Sequence, residues 1–144
     1  MTKLQVKKID TKKTLKQVFD IRKKVFIEEQ KVPVEIEMDE FDETAEHFIA
    51  YLDKEPIGCG RIRYNNDFAK LERIAIIKNY RKKGYGTQLT NYLIQYCKEK
   101  KIRKIVIHSQ KYVLGFYRRF GFKIVGEPFD EAGIKHVKMI LELS

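Results

Sequence analysis

Polar and apolar positions change period several times along the chain, and each change marks an element. "LQVKKI" (residues 4–9) opens with alternation and predicts a strand. From Thr14 onward Leu15, Val18, Phe19, Val25 and Phe26 recur at helical spacing and predict an amphipathic helix. The acidic stretch "EIEMDEFDETAE" (residues 35–46) is weakly periodic and reads as a loop or frayed helix. "HFIAYL", a "DKEP" turn and "IGCGRIRY" predict a hairpin, and an "NND" turn leads into a strand over Lys70–Ile77. A helix follows, with Tyr85, Leu89, Leu93, Tyr96 and Cys97 on one face. "KIVIHS" reads as a short buried strand, and "VLGFYRRF" as a short helix stopped by Gly121. "FKIVG" and "KHVKMILEL" close the chain as strands, joined through a turn-rich "EPFDEAG". Strand, helix and strand across residues 70–108 require a parallel crossover, whereas the hairpins are antiparallel. The expected class is therefore α/β with a mixed sheet.

One helix start is anomalous. Between the strand "LERIAII" and the helix "LTNYLIQYC" lies "RKKGYG" (residues 81–86). Three cations sit where the macrodipole is already positive, glycines add entropy cost, and no Ser, Thr, Asp or Asn stands at the cap. Such a start is favourable when an anion rests on the free N–H groups. Leu89 stands where a dinucleotide fingerprint needs its third glycine. Thr87 and Gln88 stand where a P-loop needs Lys and Ser/Thr. The plain alternative is a strand-to-helix turn with solvated lysines.

Composition narrows the partners. The 144 residues fit one domain, and a net charge of +10 suits an anionic partner or merely a lysine-rich surface. Cys59 and Cys97 cannot build a disulfide framework; Cys97 falls on an apolar helix stripe and Cys59 in a strand. With no signal peptide and no apolar run near the roughly 20 residues of a membrane span, the expected compartment is the cytoplasm. Without a His/Cys cluster or a calcium-loop glycine, no metal site is expected.

Arg81-Lys82-Lys83-Gly84-Tyr85-Gly86 resembles the R/Q-x-x-G-x-G/A motif of the GNAT acetyltransferase family, which likewise follows a strand and opens a helix. "GFYRRFGF" (Gly115 to Phe122) resembles its second signature, a tyrosine four residues before a Gly-aromatic pair. "VFIEEQKVP" with "EMDEFDETAEHF" is similar to the ElaA-like branch. The resemblance covers nearly the whole chain. It implies a single GNAT domain over residues 1–144, with a mostly antiparallel mixed sheet, a splayed parallel strand pair and flanking helices. It also implies acetyl-CoA as cofactor and a primary amine as acceptor, attacked directly in a ternary complex. The pyrophosphate would lie on Arg81, Lys82, Lys83, Gly84, Tyr85, Gly86 and Thr87. The pantetheine would pair with Ile74, Ala75 and Ile76 between "RIAII" and "KIVIHS", with Phe116 and Tyr117 also at the cofactor. Gln110 is the nearest amide to the position where the family often has an Asn.

Acetyl transfer needs a neutral amine, a stabilised oxyanion and a proton for the thiolate. An alkyl ammonium with a pKa near 10 is neutral in roughly one part in a thousand at pH 7, so a base is useful. The Ile76 N–H is the expected oxyanion donor. Tyr117 occupies the position of the family's usual acid; the alternative is an aromatic packed on a short helix. Glu72, a carboxylate inside an apolar strand, is the candidate base, or else an ion-pair partner of Arg61 or Arg63; Arg73 should point to the opposite face. Glu28, Glu29, His47 and water remain as other bases; His108 ends a strand near the splay as core or cleft, and His136 has no supporting context.

From Glu35 to Glu46 the chain carries seven acids and no base, so either an acidic rim attracts a cationic acceptor or a solvated loop offsets the lysines. The acceptor is then a small molecule or peptide, with no nucleic acid or membrane partner, and the protein a monomer or homodimer. Two rivals remain: a CoA-binding sensor or interaction protein of the same fold without catalysis, and an RNA-binding module in which Lys83-Gly84-Tyr85-Gly86 opens an RNP1 pattern.

Overall fold

The computed structural model describes residues 3–143. Strands β1 (Leu4–Lys8), β2 (Glu46–Leu52), β3 (Glu55–Asn65), β4 (Phe68–Ile76), β5 (Lys104–Gln110), β6 (Lys123–Glu131) and β7 (Ile134–Glu142) form one sheet. Their spatial order is β1-β2-β3-β4-β5-β7-β6. Every neighbouring pair is antiparallel except β4 and β5, which run parallel. Helix α3 (Tyr85–Glu99) makes that crossover. The mixed sheet with a parallel pair is the architecture expected of the sequence.

The two sheet faces are covered differently. On one, Phe48, Ile62, Leu71, Ile107 and Met139 pack with Leu89, Leu93 and Cys97 of α3. Leu93 is fully buried, and its truncation to Ala should cost about 2–5 kcal/mol. On the other, Ile49, Cys59 and Ala75 meet Val18, Ile21 and Val25 of α1 (Lys12–Arg22) and its continuation. Thr11 caps α1 by accepting from the Thr14 N–H at 3.2 Å. The helix thus starts earlier than its apolar stripe.

Past Arg22 the helix widens to π-helical turns over Lys23–Glu29. The wider turn rotates Phe26, Glu29 and Gln30 towards a cavity between the splayed strands. The acidic stretch forms a short helix α2 (Val34–Glu37) and a 3₁₀ turn (Glu40–Glu43) capped by Asp39.

Two irregularities shape the sheet. In β4, Arg73 and Ile74 stand opposite Gly60 alone, since Arg61 pairs with Glu72 and Cys59 with Ala75. Arg73 adopts a left-handed φ of 55° in this bulge. In β6 the register shifts between Val125 and Phe129, at Gly126 with φ 82°. The segment read as a turn, "EPFDEAG", is therefore mostly strand, and only Ala132-Gly133 turns the chain. The bulge absorbs Gly126 and Pro128, the residues that mimic a turn.

Candidate active site

The last register pair between β4 and β5 is Leu71 with Ile107. Beyond it the strands part, and a cavity of about 960 Å³ opens at the split. Its walls include Ile74, Ala75 and Ile76 on one side and Gln110, Phe116 and Tyr117 on the other. Arg81 and Lys82 stand at one end and Glu72 in the wall. Lys83, Gly84, Tyr85, Gly86 and Thr87 form the adjoining helix start rather than the cavity lining.

Gly84 is the N-cap of α3, at φ 86° and ψ 1°, a conformation that strains any side chain. The first helical bond runs from Gln88 N–H to Gly84 O. The N–H groups of Tyr85, Gly86 and Thr87 therefore precede the ladder, with no side-chain cap and no acid in the first turn. A Cβ on Gly86 would meet Phe116 at 3.7 Å and Ile76 at 3.8 Å, so this glycine lies between the two cavity walls. Because Lys83–Gly86 open a helix, the strand platform of an RNA-recognition module is not formed here.

Arg81 is already engaged. Its Nε donates to Ile76 O at 2.7 Å, and its two terminal nitrogens donate to Glu29 at 2.6 and 2.8 Å. Gln110, expected at the cofactor, donates from Nε2 to Gln30 Oε1 at 2.8 Å. The end of the first helix is thus tied to both lips of the split, to the β4 side through Glu29 and to β5 through Gln30.

Tyr117 lies on α4 (Leu114–Arg118), half-buried, with its ring edge-on to Phe116 and Phe122. Burial pushes its phenol up to about 12, so it is protonated at neutral pH. Burial likewise pushes the Cys59 and Cys97 thiols up to about 12, and both are inert packing groups.

Glu72 realises the ion-pair alternative. It accepts from Arg61 Nη2 at 2.7 Å and Arg63 Nη2 at 2.9 Å, and Lys70 Nζ lies 3.2 Å away. Burial alone would raise its carboxyl; the Arg63 hydrogen bonds and the Arg61 and Lys70 charges outweigh that and hold it at about 2. Such a carboxylate is a poor proton acceptor at neutral pH. Nor does Arg73 occupy a separate face. The bulge breaks the alternation, and Arg73 shares Asp39 with Arg61, which in turn holds Glu72.

This network extends into the core. The fully buried Arg22 bonds Glu37 at 2.8 Å and Asp42 at 2.7 Å, and Asp42 also accepts from Arg61 at 2.8 Å. Burial raises Glu37 above its ordinary range despite its arginines; for Asp42, hydrogen bonds from Arg22 and Arg61 overcome burial and lower it. Of the seven acids in this run, read as either a rim or a solvated loop, Glu37, Asp39 and Asp42 are counterions of arginines, and Glu46 pairs with Lys8 at 2.7 Å. Only Glu35, Glu40 and Glu43 face solvent. The acidic run therefore neutralises buried arginines, because guanidinium groups on α1, β3 and β4 cannot enter the protein unpaired.

The other expected bases fare as follows. His47 is buried, bonds Asp42 O at 2.9 Å and is lowered by burial. Glu29 is tied to Arg81, and Glu28 lies outside the cavity wall. Nothing in the sequence singles out His108, Glu131 and His136 together, yet all three line the cavity. Their nearness follows from the β6 bulge and the β6–β7 hairpin. Among the described residues, no group of three or more His, Cys, Asp or Glu could hold a metal ion, and no helix is long and apolar enough to cross a membrane.

Comparison with known proteins agrees with this geometry. Residues 9–143 match the model of the acetyltransferase (GNAT) domain. YyaT of Bacillus subtilis, an uncharacterized protein, is 41% identical, covering 98% of this chain and 97% of its own. The crystal structure of Escherichia coli ElaA superposes with a TM-score of 0.86 at 23% identity, covering 99% of this chain and 100% of ElaA. A GNAT family acetyltransferase from Elizabethkingia anophelis, solved with acetyl-CoA bound, gives a TM-score of 0.77 at 20% identity, with 97% and 98% coverage. A family match over nearly the whole chain, joined to a sheet split beside an uncapped helix start, leads to one conclusion: the chain belongs to the GNAT acetyltransferase family.

Proposed function

We propose that the protein transfers an acetyl group from acetyl-CoA to a primary amine of a small molecule or peptide, by direct attack in a ternary complex. The observation that carries this reading is the union of three features at one cavity: the split after Leu71 and Ile107, the uncapped N-terminus of α3, and the protonated phenol of Tyr117. The helix start fits a pyrophosphate. The free N–H groups of Tyr85, Gly86 and Thr87 meet an anion where no acid competes, and Lys82 and Lys83 flank it. The parted edges of β4 and β5 leave backbone groups around Ile74, Ala75 and Ile76 for the amides of a pantetheine arm. Acetyl-CoA would supply the thioester.

The chain's own groups do the rest. A backbone N–H of β4 beyond the bulge, with Ile76 the foremost candidate, donates to the oxyanion. Tyr117 donates a hydrogen bond to the departing sulfur. A phenol near 12 and a thiol near 8.5 make complete transfer uphill, so Tyr117 acts by stabilising the thiolate, which solvent then protonates. Glu72 holds Arg61, Arg63 and Lys70 in place rather than taking the amine proton. The acceptor need carry no further positive charge, because the acids near the cavity already have partners.

Calorimetric titration with acetyl-CoA, followed by thiol release with amino sugars, polyamines, amino acids and lysine peptides, tests the proposal. Micromolar binding with turnover of at least one amine supports it. Binding without turnover of any amine would favour a cofactor-binding protein of the same fold, and absence of binding would refute the cleft assignment.

A further inference from the structure

Glu72 is unfit as a base, yet the amine must lose a proton. The cavity holds another candidate. In parallel pairing, aligned residues point to the same face, and the last aligned pair is Leu71 with Ile107. The next positions, Glu72 and His108, are the first across the opening. His108 therefore lines the same cavity, beside the point where the strands part.

Its ring is held by a carboxylate. His108 Nδ1 lies 3.0 Å from Glu131 Oε1 on β6. An ionised carboxylate only accepts, so Nδ1 carries the proton and Nε2 of the neutral ring carries the lone pair. Phe129 packs edge-on against the imidazole, with centroids 5.0 Å apart, and fixes its plane. On the other side Phe129 stacks on His136, whose Nδ1 donates to Ile134 O at 2.7 Å and whose Nε2 lies 3.8 Å from Glu131 Oε2. The histidines differ in access: the side chain of His108 is 26% exposed and that of His136 8%. Only His108 combines a hydrogen-bonded carboxylate, an open face and a place at the split.

We propose that His108, oriented by Glu131, is the catalytic base that takes the proton from the attacking nucleophile. This rests on the acetyltransferase reading above. As the nucleophile's lone pair forms its bond to the acetyl carbon, its proton passes to His108 Nε2. The carbon–sulfur bond breaks, the electron pair leaves on sulfur, and solvent protonates the thiolate beside Tyr117. The imidazolium, steadied by Glu131, then returns its proton to water. Glu131 is a positioning residue. The hydrogen bond from His108 holds its carboxyl below the ordinary range, as suits a permanent partner for an imidazolium. The charged and titratable groups around the ring are Lys70 and Glu72 on β4, Glu131 on β6, and His136 and Lys138 on β7. The acids Glu37 and Asp39 of the covering segment are engaged by Arg22, Arg61 and Arg73.

Acetyl-CoA itself is the probe, with water as the nucleophile, so no acceptor need be known. Thiol release is followed against pH at saturating acetyl-CoA for wild type, His108→Ala, His108→Gln and Glu131→Gln, with CoA affinity and melting temperature measured alongside. His108→Gln keeps a donor for Glu131 but cannot take a proton. Both His108 variants should lose about 100-fold or more in rate and the acid limb of the profile, with CoA affinity within about twofold of wild type. Added imidazole should restore part of the rate of His108→Ala. Glu131→Gln should lose about tenfold in kcat with the KM for acetyl-CoA within about twofold of wild type, and Glu131→Asp, which keeps a carboxylate, should recover part of the loss. A wild type that binds CoA but releases no thiol above buffer would overturn the proposal. So would folded, CoA-binding His108 variants with the wild-type rate and profile. Failure of the wild type to bind CoA would refute the acetyltransferase reading itself.

Discussion

Two side chains carry opposite charge logic within one cavity. Tyr117 has been moved by burial away from ionising, and Glu72 has been moved by arginines away from protonating. Tyr117→Phe removes one hydroxyl and leaves the ring on Phe116 and Phe122. Turnover should fall about 10- to 100-fold with CoA affinity unchanged, as read from steady-state rates beside calorimetry. An unchanged turnover would make Tyr117 a packing residue. Glu72 governs stability instead. Its folded value near 2 lies below its ordinary 4.5, so its stabilising contribution is full above about pH 4.5 and disappears as pH falls towards 2. The loss is of order 3 kcal/mol. Acid unfolding followed by circular dichroism should therefore show a steep loss of stability in that window. Glu72→Gln should be less stable at pH 7 by a few kcal/mol, leaving Arg61 without one of its anions, with a flatter acid response. Equal acid profiles for the two proteins would contradict this.

At the scale of elements, the end of the first helix bridges the split. Glu29 holds Arg81 and Gln30 holds Gln110, and the π-helical turns bring both to the cavity. On the proposed function, Glu29 competes with the pyrophosphate for Arg81. Glu29→Gln should tighten CoA binding about two- to fivefold at low salt, and the gain should shrink as salt rises, as expected of a half-exposed pair. Weaker binding in this variant would mean that the tie shapes the cavity rather than blocking it. Elements were also where the sequence was most and least legible. The period of 3.6 residues in α3 and the apolar strands around it were plain. The β4 bulge was not, because nothing local in "LERIAI" announces a left-handed Arg73. The far end of β6 was hidden too, since Gly126 and Pro128 carry turn chemistry that a bulge can also use. Phe129 and Glu131 therefore fall in a stretch that reads as a turn in the sequence, and a histidine–carboxylate pair drawn from two strands is hidden there.

Over the whole molecule, charge is sorted by depth. The net charge of +10 lies largely in surface lysines, whereas the arginines Arg22 and Arg61 are fully buried and have drawn the acidic run inward as counterions. Contiguity in sequence makes that run look like a rim or a solvated loop; pairing of its members with Arg22 and Arg61 across 15 to 22 residues of separation, visible only in three dimensions, takes Glu37, Asp39 and Asp42 inward. The opening motif was legible for the opposite reason. Its cations, glycines and missing cap are local departures from helix chemistry, and local departures survive in a sequence. They point to the start of α3 as the proposed anion site, and there the structure leaves the Tyr85, Gly86 and Thr87 N–H groups ahead of the helical ladder. The most direct test is therefore the backbone amide spectrum of the ¹⁵N-labelled protein during titration with CoA. The largest shifts should fall on Tyr85, Gly86 and Thr87, with a second group at Ile74, Ala75 and Ile76. Saturable binding that leaves these six amides unmoved would contradict the account.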